Sequence, residues 1–575
     1  MATTTFRNGT VFDGRRYVGS GAVVVEDGRV VAVLTGRDLD KLDHRSGGVD
    51  HRSGGVDHRS GGRPTDVDLR GGLIAPGFID AHVHTVQGGL ERIRCDLSEL
   101  VSREEYLAAI AEYAAARPEL PWILGGGWAM SAFPGGTPTA ADLDAVVPDR
   151  PVFLPNRDHH GAWVNSRALE LAGVTELTPD PPHGRFERDD DGRPTGTLHE
   201  GAMHAVSRHA PATDPEEYYA ALLAGQSYLH SLGITGWQDA IVGSYAGMDD
   251  PGPVYLRAAR NGDLTADVVG ALWWDRDRGA EQVADLVARR AAYSHGRFRA
   301  TSVKIMQDGV AENGTAALSA PYLDRCGHAT TNAGHSFVEA GALREHVAAL
   351  AAAGFQVHVH AIGDRGVREA LDAFDLDKLD QRRGALDQRR GALDRRDGLR
   401  HHIAHLQLVH PDDVPRFAAL GVAANAQALW ACLDEQMTDL TLPFLGPERA
   451  RWQYPFGDLH RAGARLAMGS DWPVSTPDPL AAIHTAVNRT TYGDPGHAGA
   501  EPFLPEQAID LETAFAAYTS GSAWLNHRDD AGVLSPGSVA DLVVLDRDPF
   551  AGSPEEIGAA RVVSTWIDGA AVFEG

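Results

Sequence analysis

LIAPGFIDAHVH, residues 73–84, is the segment on which the fold of this chain turns. Its apolar run has the length and composition of a buried strand, and it ends on two histidines. Side chains alternate along a strand, so a spacing of two puts the His82 and His84 imidazoles on one face, where they converge on one ion. A histidine pair of this kind is weak evidence alone. Placed at the end of a strongly apolar strand it points to a metal centre.

Working outward, similar apolar runs recur at 234–240 (ITGWQDA), 268–274 (VVGALWW), 301–309 (TSVKIMQDG), 355–364 (FQVHVHAIGD), 401–407 (HHIAHLQ), 422–427 (VAANAQ) and 465–473 (RLAMGSDWP). Helical segments such as LREHVAALAAAG lie between them. Strands alternating with helices predict an α/β fold with a closed parallel sheet, a (β/α)8 TIM-like barrel. Barrels of this type carry their reactive groups where strands end at the carboxyl face. His360 ends one strand, with His358 two residues earlier on the same face; His405 ends another, after His401 and His402; Asp471 closes a third. Each alone reads equally as a core histidine bonded to backbone or as a turn-capping aspartate. Together they are a poor structural core, because buried ionisable groups are costly unless paired or ligating.

Of 52 basic residues only Lys41, Lys304 and Lys378 are lysines, and Lys304 alone lies in well-patterned sequence. Burial beside cations lowers the pKa of an ammonium, leaving an amine that can take up carbon dioxide as a bridging carbamate; arginine cannot do this. The plainer alternative is an ion pair with Asp308.

The rest of the chain sets bounds. With 575 residues, 43% hydrophobic, a large core is affordable. A formal charge of −27 disfavours nucleic acid and anionic membranes. Cys95, Cys326 and Cys432 form neither a disulfide framework nor a paired metal motif. The N-terminus lacks a signal-peptide apolar core and no long apolar span occurs, so a soluble cytoplasmic protein is expected. Alternating runs at both ends predict a β-sandwich domain made of residues 1–72 and 527–575, flanking a barrel over 73–526. Residues 97–225 are expected to hold an inserted subdomain. Two seven-residue tandem repeats, 43–62 (DHRSGGV) and 379–398 (LDQRRGA), read as solvated surface insertions.

The segments FIDAHVH, VKIMQDG, VHVHAIGD, the His405 strand and GSDWPV, with the C-terminal GVLSPGSVADLVVLDRDPF, resemble the amidohydrolase superfamily and its N-substituted formamide deformylase-like branch. The resemblance implies two divalent metal ions, zinc first with iron or manganese compatible. His82, His84 and Asp471 would hold one, His360 and His405 the other, with carboxylated Lys304 as the bridge. It implies that Asp471 and His160 are catalytic, and that Trp128, Glu200, Asp308 and Arg489 join His160 on the substrate side. It also implies hydrolysis of a non-peptide carbon–nitrogen bond of a small molecule by a metal-bound hydroxide, and a homodimer. Departures are Asp158-His159-His160-Gly161 for the usual DGHS, Ile403-Ala404-His405 for IEH, and Ala129-Met130 after GGW. None removes a ligand; all leave the substrate open. A cyclic amide, an aminated ring or a lactone are alternative substrates, and a metal-free scaffold or a metal-binding regulator are remoter readings.

Overall fold

The computed structural model describes residues 3–39, 65–182, 184–245, 248–376, 398–492 and 501–575. Both tandem repeats lie outside the described residues, apart from Gly398. Eight parallel strands form the central sheet: β1 (Phe78–Val83), β2 (Ile234–Val242), β3 (Asp267–Trp273), β4 (Phe298–Met306), β5 (Gln356–Ala361), β6 (His402–His405), β7 (Ala423–Ala426) and β8 (Leu466–Met468). Every neighbouring pair from β1 to β8 is parallel. Beyond the end of β8 the ring is closed by backbone. Asp471 N donates to His82 O at 2.7 Å and His84 N to Trp472 O at 2.8 Å. This is the (β/α)8 barrel expected from the apolar runs.

Residues 73–84 are two strands, not one. Leu73–Pro76 pairs with Thr10–Val11 and, antiparallel, with Leu542–Val544, so it belongs to a sheet built by the two ends of the chain. The path turns into the barrel at Gly77, whose N donates to Asp541 O at 2.8 Å. A Cβ on Gly77 would lie 2.2 Å from Thr235 Cγ2. Only glycine permits that approach, and the boundary expected at 72/73 moves to this residue.

The terminal sheet has eight strands and curls over its own core of Phe6, Val11, Val23, Ile74, Leu542 and Val544. Phe6 meets Trp566 edge-on at 5.1 Å although their strands are not neighbours. The opposite face, through Phe12, Leu73, Val543 and Leu545, joins the barrel core.

Between β1 and β2 the chain makes a separate six-stranded sheet, from Cys95–Asp96 to Pro194–Glu200. Two hydrophobic clusters of its own lie against that sheet. The following helix, Pro215–Ser231, starts on Asp214, which accepts from Glu216 N at 2.7 Å. Its Tyr218, Ala221, Leu222 and Leu229 are buried in the barrel core. The helix from Pro215 onward thus packs with the barrel, near the end of the insertion expected over about 97–225.

The barrel interior is unusually polar. Asp80, His82, Gln238, Ser302, Lys304, Gln356, His358, His402 and Asn425 are all buried. Lys304, His358 and His402 are direct neighbours in register across β4, β5 and β6. Among the described residues no helix is long and apolar enough to cross a membrane.

Crowding at Gly77 makes a prediction. Gly77→Ala should cost about 1–3 kcal/mol of stability in urea unfolding, as for other overpacked sites, and adding Thr235→Ala should recover part of the loss.

Candidate metal centre

His82 lies on β1, His84 one residue beyond it, and Asp471 three residues beyond β8. The two seam hydrogen bonds described above bring these strand ends together. His82 Nε2 is 3.0 Å and His84 Nε2 2.9 Å from Asp471 Oδ1. The three residues offer ligand atoms all within 4.8 Å of one another. Asp471 sits at φ 57° and His405 at φ 79°. Such left-handed backbone is strained for residues with a Cβ and is found where a side chain must be aimed.

Lys304, on β4, is buried, with Nζ 3.3 Å from His82 Nε2. Burial pushes its ammonium down to about 7, against the opposing pull of Asp471. Asp308 is not its ion-pair partner. Asp308 Oδ1 accepts from Ile362 N at 3.0 Å, while Oδ2 accepts from Ala317 N at 2.9 Å and Gly363 N at 2.8 Å. The Asp308 carboxylate thus pins the loops around the site and is fully buried.

His360 and His405 stand beside this group, their rings 4.3 Å apart. His405 Nδ1 is buried without a hydrogen-bond partner and lies 3.8 Å from Asp471 Oδ2. Its backbone N donates to Gln427 Oε1 at 2.7 Å, and its ring stacks on Trp430 at 5.5 Å. Burial drives both imidazoles well below the usual histidine range, with neighbouring Lys304 and histidine charges adding to the effect. They are neutral and able to ligate. The Asp471 carboxylate is buried with its Oδ1 facing both the His82 and the His84 Nε2 atoms.

A cavity of about 330 Å³ opens over this group, lined by His160, His360, His405, Trp430, Tyr454 and Asp471 among others. His160 comes from the inserted sheet, and its Nδ1 is 2.9 Å from Glu200 Oε1. Burial lowers the imidazole but the Glu200 carboxylate more than reverses this, raising it to about 9. Thr315 Oγ1 also donates to Glu200 Oε1 at 3.3 Å.

The other two substrate-side expectations fall elsewhere. Trp128 is in the core of the insertion, donating Nε1–H to Leu154 O at 2.8 Å. Arg489 is fully buried and donates to Phe503 O at 2.7 Å and Tyr454 O at 3.2 Å, bracing the wall from behind. Neither lines the cavity, nor does Asp308. Conversely, Gln238, Gln427 and Trp430 hold or shield the site without having stood out in the sequence. For Gln238 the available signal was a lone amide among the apolar residues of ITGWQDA.

The model of the amidohydrolase family matches residues 66–573. The chain is 30% identical over 522 residues to the Arabidopsis thaliana protein LONG AFTER FAR-RED 3, covering 88% of this chain and 83% of that one. It is 26% identical over 525 residues to the N-substituted formamide deformylase of Arthrobacter pascens, covering 88% and 90%. An uncharacterized metal-dependent hydrolase of Pyrococcus horikoshii superposes with a TM-score of 0.69 at 25% identity, over 96% of this chain and 99% of that one.

The His160–Glu200 pair sets a pH test. Because folding raises His160 from 6.5 to about 9, its contribution to stability is complete below the lower value and is lost as pH rises through the upper one. Unfolding free energies of the native protein and Glu200→Gln in urea should differ most near pH 6 and draw together near pH 10, for a gap of about 1 kcal/mol or more at the acid end. A gap that stays constant with pH would show that Glu200 does not control His160.

Proposed function

Since the chain belongs to the amidohydrolase family, we propose that it hydrolyses a non-peptide carbon–nitrogen bond of a small molecule using two bound divalent ions. The observation carrying this reading is the meeting of His82, His84 and Asp471 beside a buried lysine with no carboxylate bonded to it. One ion would be held by His82, His84 and Asp471, the other by His360 and His405. The orphaned Nδ1 of His405 fits a ligand role, since a buried lone pair without a donor is otherwise costly. Imidazole, carboxylate and carbamate suit zinc first, with iron or manganese compatible. Bound ions of this kind lower the pKa of water and polarise a carbonyl.

Lys304 would be the bridge. Its neutral amine would add to the carbon of carbon dioxide, forming the N–C bond as one C=O π bond opens and one N–H proton passes to solvent, and the carbamate would offer two oxygens sharing one negative charge. The low pKa produced by burial supports the uncharged amine this needs.

The protein's own groups supply proton traffic and orientation. Asp471 faces the cavity as a carboxylate, able to take a proton from water and deliver it to the leaving nitrogen. An amide nitrogen departs poorly unless protonated, so one group must act as base and then acid. His160 is cationic at neutral pH, with Nδ1–H on Glu200, and its Nε2–H is left to bind the substrate oxygen as negative charge develops there. Trp430, Val310 and Met437 give the cavity an apolar wall for the substituent on nitrogen. An N-substituted formamide, the substrate class named for the Arthrobacter pascens relative, is the first compound class to test.

Two measurements test this. Lys304→Arg places a permanent cation where the reading needs an anionic carbamate, so metal content should fall below about 0.2 ions per chain and activity with it. Asp471→Asn should lower kcat by about 10²–10⁴ on any substrate found in a panel of formamides, N-acyl amines, cyclic amides and lactones. Full metal content and near-native turnover in Lys304→Arg would refute the bridge.

A further inference from the structure

A line of hydrogen bonds runs from the floor of the barrel to the metal centre, and its polarity is fixed at the far end. Gln356 on β5 has one side-chain atom 2.8 Å from Arg400 O and 2.8 Å from Leu525 O. Backbone carbonyls only accept, so that atom is the amide nitrogen Nε2 and Oε1 faces the other way. Gln356 Oε1 accepts from Gln238 Nε2 at 3.0 Å, and the same nitrogen donates to Asn526 Oδ1 at 3.1 Å. Gln238 Oε1 is then left facing His358 Nδ1 at 2.8 Å. An acceptor there requires His358 to carry its proton on Nδ1.

His358 is fully buried, has no carboxylate among its hydrogen-bond partners, and packs on the His402 ring at 4.1 Å. A second proton on it would be an unpaired buried charge, so the ring is neutral and Nε2 accepts. That nitrogen is 2.9 Å from His82 Nδ1. His82 must therefore donate from Nδ1, which leaves Nε2 a bare lone pair. This is the atom that lies 3.0 Å from Asp471 Oδ1 and 3.3 Å from Lys304 Nζ. The Lys304 amine can donate to that lone pair, while its approach to the carboxylate oxygen is one that a cation beside both would relieve.

We infer that Gln238, oriented by Gln356, is a positioning residue that sets the tautomer of His82 through His358 and so presents His82 Nε2 as a ligand before any ion arrives. The inference rests on the reading of His82 as a metal ligand. It deepens that reading by naming residues one and two steps behind the ligand, on β5 and β2, that control its proton. Outer-shell partners of ligating histidines typically change metal affinity by about 10–100-fold when lost.

The test begins with the intact protein stripped by chelator. Nitrogen-15 spectra of ring-labelled histidine, with the His82 signal assigned by His82→Gln, should show His82 protonated on Nδ1. In Gln238→Met, which keeps the volume but removes the acceptor, that signal should move toward the Nε2–H form. Zinc affinity, measured by competition with a chromophoric chelator, should fall about 10–100-fold. A proton on His82 Nε2 in the stripped native protein would overturn the inference, and so would zinc affinity within about threefold of native in Gln238→Met. If Gln238→Met does not fold, the native spectrum decides alone. If the native protein takes up no ion while His82 shows the Nδ1–H form, the metal reading fails and the tautomer assignment stands.

Discussion

The structure depends on one seam. Two backbone hydrogen bonds, Asp471 N to His82 O and His84 N to Trp472 O, join the first strand to the segment after the last. Without them the eight-stranded sheet is open and the residues that gather at its mouth lie nearly four hundred positions apart. With them, His82, His84 and Asp471 meet within hydrogen-bonding distance as a by-product of closing the ring. Closure is tight enough that Gly469 tolerates no side chain: a Cβ there would sit 2.5 Å from His82 N. Asp80 adds to the seam, accepting from both His82 N and Ser470 N. Folding and site assembly are thus the same event at this edge.

The second constraint is charge. Filling a barrel with histidines, amides and a lysine is unfavourable unless each polar atom has a partner. Here the amides of Gln238, Gln356, Asn425 and Gln427 meet that demand among themselves and with backbone. Among the buried side-chain atoms left without a hydrogen bond are His84 Nδ1, His405 Nδ1 and both nitrogens of His402, inside the barrel. Such atoms mark where something else binds or where packing alone decides, and His405 Nδ1 lies 3.8 Å from Asp471 Oδ2.

Much of this was legible in the chain itself, because strand ends leave a local trace. An apolar run ending in His-Val-His, or in Gly-Ser-Asp, states both the element and its chemistry within a dozen residues. What escaped was whatever depends on distant partners. Residues 73–84 look continuous because both strands are apolar; the break shows only in their different sheet partners and in the approach of Thr235 to Gly77. The lone amide of Gln238 shows in the sequence, but its role does not, because its partners Gln356 and His358 lie over a hundred positions away. Trp128 and Arg489 have side chains that bind ligands in many proteins, yet Trp128 fills a core and Arg489 ties down carbonyls. Residue type alone does not separate those uses. Asp308 was expected on the substrate side, but its carboxylate accepts from three backbone amides and acts as a brace.

His160 reaches the cavity from a sheet that has hydrophobic clusters of its own and interrupts the barrel between its first and second strands. The side chains gathered at the strand ends belong to the barrel, while the group facing them across the cavity belongs to the inserted sheet. Natural variation is therefore free to remodel the facing unit, including its Asp158-His159-His160-Gly161 turn, without repacking the barrel. Selectivity in such an architecture is exchangeable, like a fitting on a fixed mount, and lineages sharing the same ligands are expected to diverge first in what they accept.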